Sequence, residues 1–583
     1  MNTYKNMKHK KRNGVGIATF VLLLLMNSCS SDFLEVLPTG QLGQAQLTSK
    51  AGIEGALIAA YSQLTGRGAW HGASSHWLWG SIRGADSNKG TDPGDFSEMN
   101  PIMRYETLPT NGIVMELYRE MYEGVSRANT TLSLLEQAGE DVSADDKVRI
   151  AAEAKFLRAH YYFQLARNFG KTPYIDETLQ VGLGLEEVKN DQDLLPKVEA
   201  DFTAAMNDLP ETQSAVGRAH KTAAKAYLGK VKLYMGKHSE ALALFTEVIN
   251  SGVTSAGDKL ELVPSFPDVF KAANDNHSES IFAVQSAANT GSTANAFPEN
   301  AMNMPYNTGP DGPGNCCGFN QPSFESANIY RTDANGLPLA DGQYNTAGNE
   351  LVTDQGILSD QPFTPDAGNV DPRLDHTIGR RGIPFLDWMD HPGAAWIRNQ
   401  PNAGPYTPKK FSYYKSDNGV FQDNSGWTPG YTAINFPIIR LADVLLFAAE
   451  CEVEVGSLEK AREYVNMIRD RASNTVVEKN GNPAANYVID IYQSAWTDQA
   501  AARYAVRMER RLEMNLEGSR FYDLVRWGTA AAELNRYIAY EETKIPGALT
   551  GASYQANQDE LLPLPQSQID ILGDDILAQN PGY

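Results

Sequence analysis

Residues Arg507 to Gly528 read RMERRLEMNLEGSRFYDLVRWG. Met508, Leu512 and Leu516 recur every four residues, and Phe521, Leu524 and Val525 continue the apolar pattern beyond Gly518. The spacing predicts two short helices broken at a glycine. Glu509, Glu513 and Glu517 also stand four apart, so on one helix face they repel unless cations from elsewhere neutralise them. Arg440, Arg520 and Arg526 are the candidates for that role. A solvated acidic face is the other reading of such a run, but Phe521, Tyr522 and Trp527 mark a packed corner.

Helical periodicity recurs through both ends of the chain. Leu117, Met121, Val125 and Ala128 form one stripe, and Ile150, Ala154, Leu157, Tyr161, Leu165 and Phe169 form another, stopped by Gly170 with Pro173 just beyond. Two further stretches, Lys225 to Asn250 and Val444 to Ile468, resemble tetratricopeptide repeats, with Leu228, Gly229, Gly236, Ala241 and Phe245 in the first and Ala449, Gly456, Ala461, Val465 and Ile468 in the second. Small residues at those offsets let antiparallel helices approach closely. Two such hairpins so far apart are no tandem array in sequence. The expected fold is mainly α, a tetratricopeptide-like helical-hairpin scaffold built from residues 51–280 and 437–583, interrupted by a loop-rich, partly β insertion over 281–436 that carries the ligand surface. Ser280 to Val284 is one of its strand-like pieces. Loops this long are uncommon in compact domains unless they serve binding.

The chain has 583 residues, with 71 acidic and 50 basic side chains and a net charge of −21. Lys5, Lys8, Lys10, Lys11 and Arg12 precede an apolar run from Val15 to Met26, the pattern of an export signal over residues 1–28, too short to span a membrane. Without that leader, which holds five basic and no acidic residues, 71 acidic face 45 basic side chains, a net −26. Nucleic-acid binding is excluded as a class, because it requires clustered Lys and Arg. Enzyme motifs fail as well: Gly170-Lys171-Thr172 lacks the first glycine of a phosphate loop, and neither an H-E-x-x-H helix nor a G-x-S-x-G elbow occurs. Carboxylate pairs for glycoside hydrolysis meet in space, so sequence does not test them. Cys451 lies in an apolar helix as a buried thiol. Cys316 and Cys317 are poor metal ligands, and whether they bridge each other stays open.

Candidate binding residues sit in two loop-rich zones. Trp70, Trp77 and Trp79 lie in the first, residues 66–100, and Trp388, Trp396 and Trp427 in the second. Core packing is the plain use of any one tryptophan. As a set in loops, their flat faces suit the C–H side of sugar rings. Arg83, Asp86, Asn88 and Lys89 follow the first group and offer hydrogen bonds. No cofactor is expected, although Asp86, Asn88, Asp92 and Asp95 are alternative hard-oxygen ligands for Ca²⁺, with spacing unlike an EF-hand. Arg380 and Arg381 near Trp388 are the candidates for a local basic patch.

The opening stretch resembles the ERR-E…EG-RF-DLVRWG signature of the SusD/RagB family of outer-membrane glycan-uptake lipoproteins. Ala152 to Tyr174 (AEAKFLRAHYYFQLARNFGKTPY), Pro437 to Cys451 (PIIRLADVLLFAAEC) and the tail, with Leu562-Pro563-Leu564-Pro565 and Asn580-Pro581-Gly582-Tyr583, fit the same family. Asp371-Pro372-Arg373-Leu374 resembles a family turn that sets register and no chemistry. The resemblance implies a non-catalytic protein that captures oligosaccharides for a partner SusC-like TonB-dependent transporter. Its glycan site would be built from the first loop zone together with loops of the insertion, here Trp77, Trp79, Arg83, Asp86, Trp388, Trp396 and Trp427. Met26-Asn27-Ser28-Cys29 resembles a bacterial lipobox, with Cys29 acylated, residues 29–50 as a tether, and Asp32 and Glu35 as a surface-export signal; ordinary cleavage is the alternative. A lipid-anchored glycosidase and a peptide-capturing protein of the RagB type are the competing functions.

Overall fold

The computed structural model describes residues 43–67, 70–179, 182 and 184–583. The export leader and Cys29 lie outside them. Side-chain caps open the first long helices. Ser49 accepts from the Gly52 amide at the start of α1 (Lys50–Ser62), Asn111 opens α2 (Gly112–Glu136), and Ser143 opens α3 (Ala144–Phe169), whose first turn adds Asp145 and Asp146. After α4 (Leu195–Asp208), α5 (Lys221–Tyr234) and α6 (His238–Ser251), the stack resumes beyond the insertion with α7 (Leu441–Val455), α8 (Leu458–Ser473), α9 (Gln499–Glu513), α10 (Arg520–Arg526) and α11 (Ala530–Glu541).

Each of α1 to α6 packs on the next, α6 packs on α7, and α7 packs on both α8 and α9. The two tetratricopeptide-like hairpins, α5–α6 and α7–α8, are therefore neighbours in one stack despite their separation along the chain. Phe245 and Phe447 stack at that joint with ring centroids 5.6 Å apart. Gly229 is required beside it, because a Cβ there would lie 2.6 Å from the Phe245 ring. The tail closes on the same body: the Asn580 carboxamide donates to the carbonyls of Phe169 and Leu562 at 2.9 and 2.8 Å.

Strands are short and serve as ties. Those that fasten the insertion are β1 (Ser87–Gly90), β2 (Ser280–Val284), β3 (Phe319–Pro322), β4 (Ile378–Gly379), β5 (Thr407–Pro408) and β6 (Phe436–Arg440). β2 pairs antiparallel with β6, Ser280 opposite Arg440 and Val284 opposite Phe436, so the two ends of the insertion form one stem. β1 pairs antiparallel with β3 and fastens the first loop-rich zone to the insertion; β4 pairs with β5 inside it.

That first zone does not behave as a displayed loop. Nearly all of residues 71–91 are buried, and Leu78–Ile82 form one wide helical turn. A Cβ on Gly80 would stand 1.8 Å from the Gly518 carbonyl oxygen. The glycine content of the zone thus permits backbone-to-backbone packing against the turn between α9 and α10.

The acidic ladder is the centre of this packing. Glu509, Glu513 and Glu517 are buried, and the chain brings cations to them from far away in sequence. Arg440 pairs with Glu279, Glu513 and Glu517 at 2.6, 2.7 and 2.8 Å. Arg373 pairs with Asp371, Glu509 and Glu513 at 2.8, 2.7 and 3.1 Å. Arg469 takes Glu509, Lys410 takes Glu517, and Arg471 takes Glu279 and Glu513. Five carboxylates meet five cations. Arg440 fills the expected role; Arg520 and Arg526 do not, because they lie beyond the turn on α10 and face Glu533 of α11 and Glu450 of α7. The Asp371–Leu374 turn, expected to set register alone, supplies two of the ten charges.

Burial by itself raises the Glu513 carboxyl, but Arg471, Arg440 and Arg373 override it and hold the group well below the usual carboxylate range. Arg440 and Lys410 do the same for Glu517. Such a cluster adds little net stability when complete and is costly when broken, since a buried charge is left without its partner. Arg440→Met is expected to destabilise the fold by about 3–5 kcal/mol, read as a lower calorimetric midpoint; an unchanged midpoint would remove the cluster from its structural role.

Candidate functional site

Gly90 stands opposite Phe319 in the β1–β3 pair, so residues that follow β1 lie beside those that precede β3. Loops from the second half of the insertion complete an open cavity of about 560 Å³. Asp95 and Phe96 come from the first zone, Met302, Cys316 and Cys317 from the first half of the insertion, and Arg398, Trp427 and Tyr431 from the second. The site therefore draws on both loop-rich zones.

Trp427 is 61% exposed, and its indole N–H donates to the Tyr431 hydroxyl at 3.0 Å. Phe96 adds an exposed ring, edge-on to Phe319 at 5.8 Å. The polar wall is preset. Arg398 pairs with Asp95 at 2.6 Å and Asp92 at 2.5 Å and donates to the Thr91 hydroxyl at 2.8 Å, while the Lys89 ammonium donates to the carbonyls of Asp92 and Asp95 at 2.8 and 2.7 Å. Half-exposed ion pairs of this kind contribute little to stability, but they fix charged donors and acceptors in place. Aromatic faces beside an oriented carboxylate and guanidinium suit a ligand with flat C–H faces and a hydroxyl rim. Cys316 and Cys317 are bridged to each other, while Cys451 is a free, buried thiol that burial pushes up.

Of the tryptophans read as a platform whose side chains are described, Trp427 alone lines this cavity. Trp77, Trp79 and Trp396 are buried. The indoles of Trp77 and Trp79 donate to the carbonyls of Glu299 and His71 at 2.8 and 2.6 Å, and Trp396 packs edge-on against Phe385 at 5.5 Å. A satisfied N–H lets an indole serve as core. Trp388 is half-buried and donates to the Tyr413 carbonyl at 3.0 Å, outside the cavity. The side chain of Trp70, like Cys29, lies outside the described residues.

Arg83 and Asp86 are corrected in the same way. Arg83 is buried with its guanidinium 3.8 Å from the Phe521 ring centroid and donates to the Asp559 carbonyl at 2.9 Å. Asp86 is buried, and desolvation pushes it up to about 7 against the pull of Arg511 and Arg520. The four residues considered for Ca²⁺ do not converge: Asp86 is interior, Asn88 accepts from the Tyr537 hydroxyl at 3.0 Å, and Asp92 and Asp95 belong to Arg398. Among the described residues no group of three or more His, Cys, Asp or Glu is placed to hold a metal ion. Arg380 is buried against Asp375, and Arg381 donates to the carbonyls of Leu358, Ser359 and Gln361, so these two do not form a patch beside Trp388; the cation over that ring is Lys415, with its ammonium 5.8 Å from the centroid. Tyr431, Phe96 and Arg398 were not singled out in the sequence. Tyr431 follows Trp427 by four residues in a Gly- and Pro-rich stretch, which is the one local signal.

Comparison with known proteins gives consistent matches over nearly the whole chain. A family model described as the SusD family matches residues 278–583, and another described as "Starch-binding associating with outer membrane" matches residues 32–233. SusD-like protein P2 of Formosa agariphila is 25% identical over 577 residues, covering 97% of this chain and 99% of its own length. Surface glycan-binding protein A from Bacteroides thetaiotaomicron, solved in complex with laminarihexaose, superposes with a TM-score of 0.63 at 21% identity, covering 91% of this chain and all of its own. A structure named as a laminarin-binding SusD-like protein gives a TM-score of 0.60 at 23% identity, with 92% and 100% covered.

One buried acid underlies the cavity wall. Pro298 lines the cavity, and Glu299 behind it is buried, touches the Ser75 hydroxyl, and is pushed up to about 8 by desolvation. A carboxyl with a raised folded-state pKa contributes stability that is complete below its ordinary value of 4.5 and is lost as pH rises through about 8. Glu299→Gln keeps the protonated shape at all pH. Its thermal midpoint is expected to gain on that of the parent as pH is raised from 5 to 8, with the difference vanishing below 4.5; a difference independent of pH would show that Glu299 is ionised in the folded protein.

Proposed function

The chain belongs to the SusD family, and we propose that it is a non-catalytic, cell-surface glycan-binding protein that captures an oligosaccharide beneath Trp427 and passes it to a SusC-like TonB-dependent outer-membrane transporter. The observation that carries this reading is the open cavity of about 560 Å³, with an exposed indole beside a fixed carboxylate–guanidinium pair, at the seam of the two loop-rich zones. Its size falls in the range of ~300–1,000 Å³ common for small-molecule sites. The laminarihexaose complex and the laminarin-binding neighbour support a glucan as the first ligand to try. Attachment to the outer membrane would come through acylated Cys29, since among the described residues no helix is long and apolar enough to cross a membrane. Affinity need only be modest, because the ligand must leave again.

Calorimetric titration with a panel of neutral and acidic oligosaccharides, laminarihexaose included, tests the site. Trp427→Ala is expected to weaken the binding member by about tenfold or more, and Trp388→Ala to leave it unchanged. A ligand that binds Trp427→Ala as tightly as the parent sits elsewhere. For the anchor, cells fed labelled palmitate are expected to label the parent protein and not Cys29→Ala, and the variant is expected to leave the membrane fraction. Label retained by Cys29→Ala would end the lipoprotein assignment.

A further inference from the structure

Sulfur bounds part of the cavity. Cys316 is half-buried, Cys317 and Met302 are buried, and all three line it. The Cys316–Cys317 bridge has a sequence separation of 1, so it closes no loop in the unfolded chain, and the usual entropic stabilisation by a disulfide does not apply. Nor can it serve a metal, because bridged sulfurs offer no thiolate. What bridging does change is local chemistry. Two weak S–H donors become a single polarizable surface, poor in hydrogen bonds and unable to rotate apart.

That surface is held by backbone. The amides of Cys317 and Phe319 both donate to the Met302 carbonyl at 3.1 Å, the Gly318 amide donates to the Met304 carbonyl at 3.1 Å, and the Gly318 carbonyl accepts from the Thr91 amide at 2.7 Å. The bridge is thus clamped between the 302–304 segment and the end of the β1–β3 pair, in the same cavity wall as the Asp95–Arg398 pair. A rigid apolar element facing Asp95, Arg398, Phe96 and Trp427 in the same cavity is already ordered before a ligand arrives.

We propose that the bridged Cys316–Cys317 pair is a ligand-contacting surface of this cavity, a sulfur floor for the C–H face of a sugar ring, and that the site binds fully only when the pair is oxidised. This rests on the saccharide reading of the cavity. An exported protein meets the oxidising conditions in which such a bridge persists.

The test uses the full mature chain and the same oligosaccharide panel, titrated before and after treatment with dithiothreitol. The dithiol supplies two electrons and two protons, the S–S bond becomes two S–H groups, and the reductant leaves as a cyclic disulfide. Cys451 is free and buried, so the reagent acts on one bond among the described residues. Reduction and the double substitution Cys316→Ser with Cys317→Ser are each expected to weaken binding by about tenfold without lowering the thermal midpoint. Bound oligosaccharide is expected to slow reduction, read by mass spectrometry as delayed iodoacetamide labelling of Cys316 and Cys317. Equal affinity in both redox states, or lost affinity with no protection by ligand, overturns the sulfur floor and leaves saccharide capture standing. Failure of the oxidised protein to bind any member of the panel overturns the saccharide reading itself, and this inference with it.

Discussion

Arg440 and the carboxylates around it constrain everything else in the molecule. Arg440 ends β6 and stands opposite Ser280, while Glu279, which it binds, immediately precedes β2. The register of the stem and the pairing of the charges are therefore one condition. A slip of one residue would turn side chains to the opposite face and leave a buried ion without its partner. Charges so deeply buried do little to make the fold more stable than an apolar core would. What they do is penalise alternatives, because only one arrangement of six distant segments brings five acids and five bases together.

From that centre the ligand cavity is positioned at second hand. Arg373 and Lys410 draw two parts of the insertion onto α9 and the turn after it. The same turn receives Gly80 from the first loop-rich zone, and β1 then carries the chain out to β3 and the cavity rim. The rim is consequently made of segments whose roots are rigid, and an exposed indole at its edge contributes to a surface already shaped.

The helical scaffold was legible because its signals are local. Periodic apolar stripes, a stop at Gly170 and small residues at hairpin spacing each report on a few turns of one helix. The need for cations opposite Glu509, Glu513 and Glu517 was legible too, and Arg440 was within reach as a candidate. Arg373, Lys410, Arg469 and Arg471 were not, since nothing local distinguishes an arginine bound for the interior from one bound for water. The tryptophans failed for a related reason. Glycine-rich sequence around Trp77 and Trp79 reads as loop, yet those glycines exist to let backbone meet backbone, and the indoles beside them fill the resulting core. Trp427 looks no different in sequence and is exposed, so exposure was decided by tertiary contacts that composition does not encode. The partnership of Cys316 with its neighbour likewise depends on backbone geometry and not on spacing.

Because residues 285–435 leave and rejoin the helix stack through a single strand pair, they form a cassette. Its length and its outward loops can diverge without disturbing the hairpins, as closing a longer loop adds little free energy once its ends are fixed. The limit is electrostatic. Any replacement cassette must return a guanidinium and an ammonium to the positions of Arg373 and Lys410, or the buried carboxylates of Glu279, α9 and the turn after it outnumber the cations left to them. Lineages carrying this architecture are thus free to change what they hold while being obliged to keep two interior cations that never touch it.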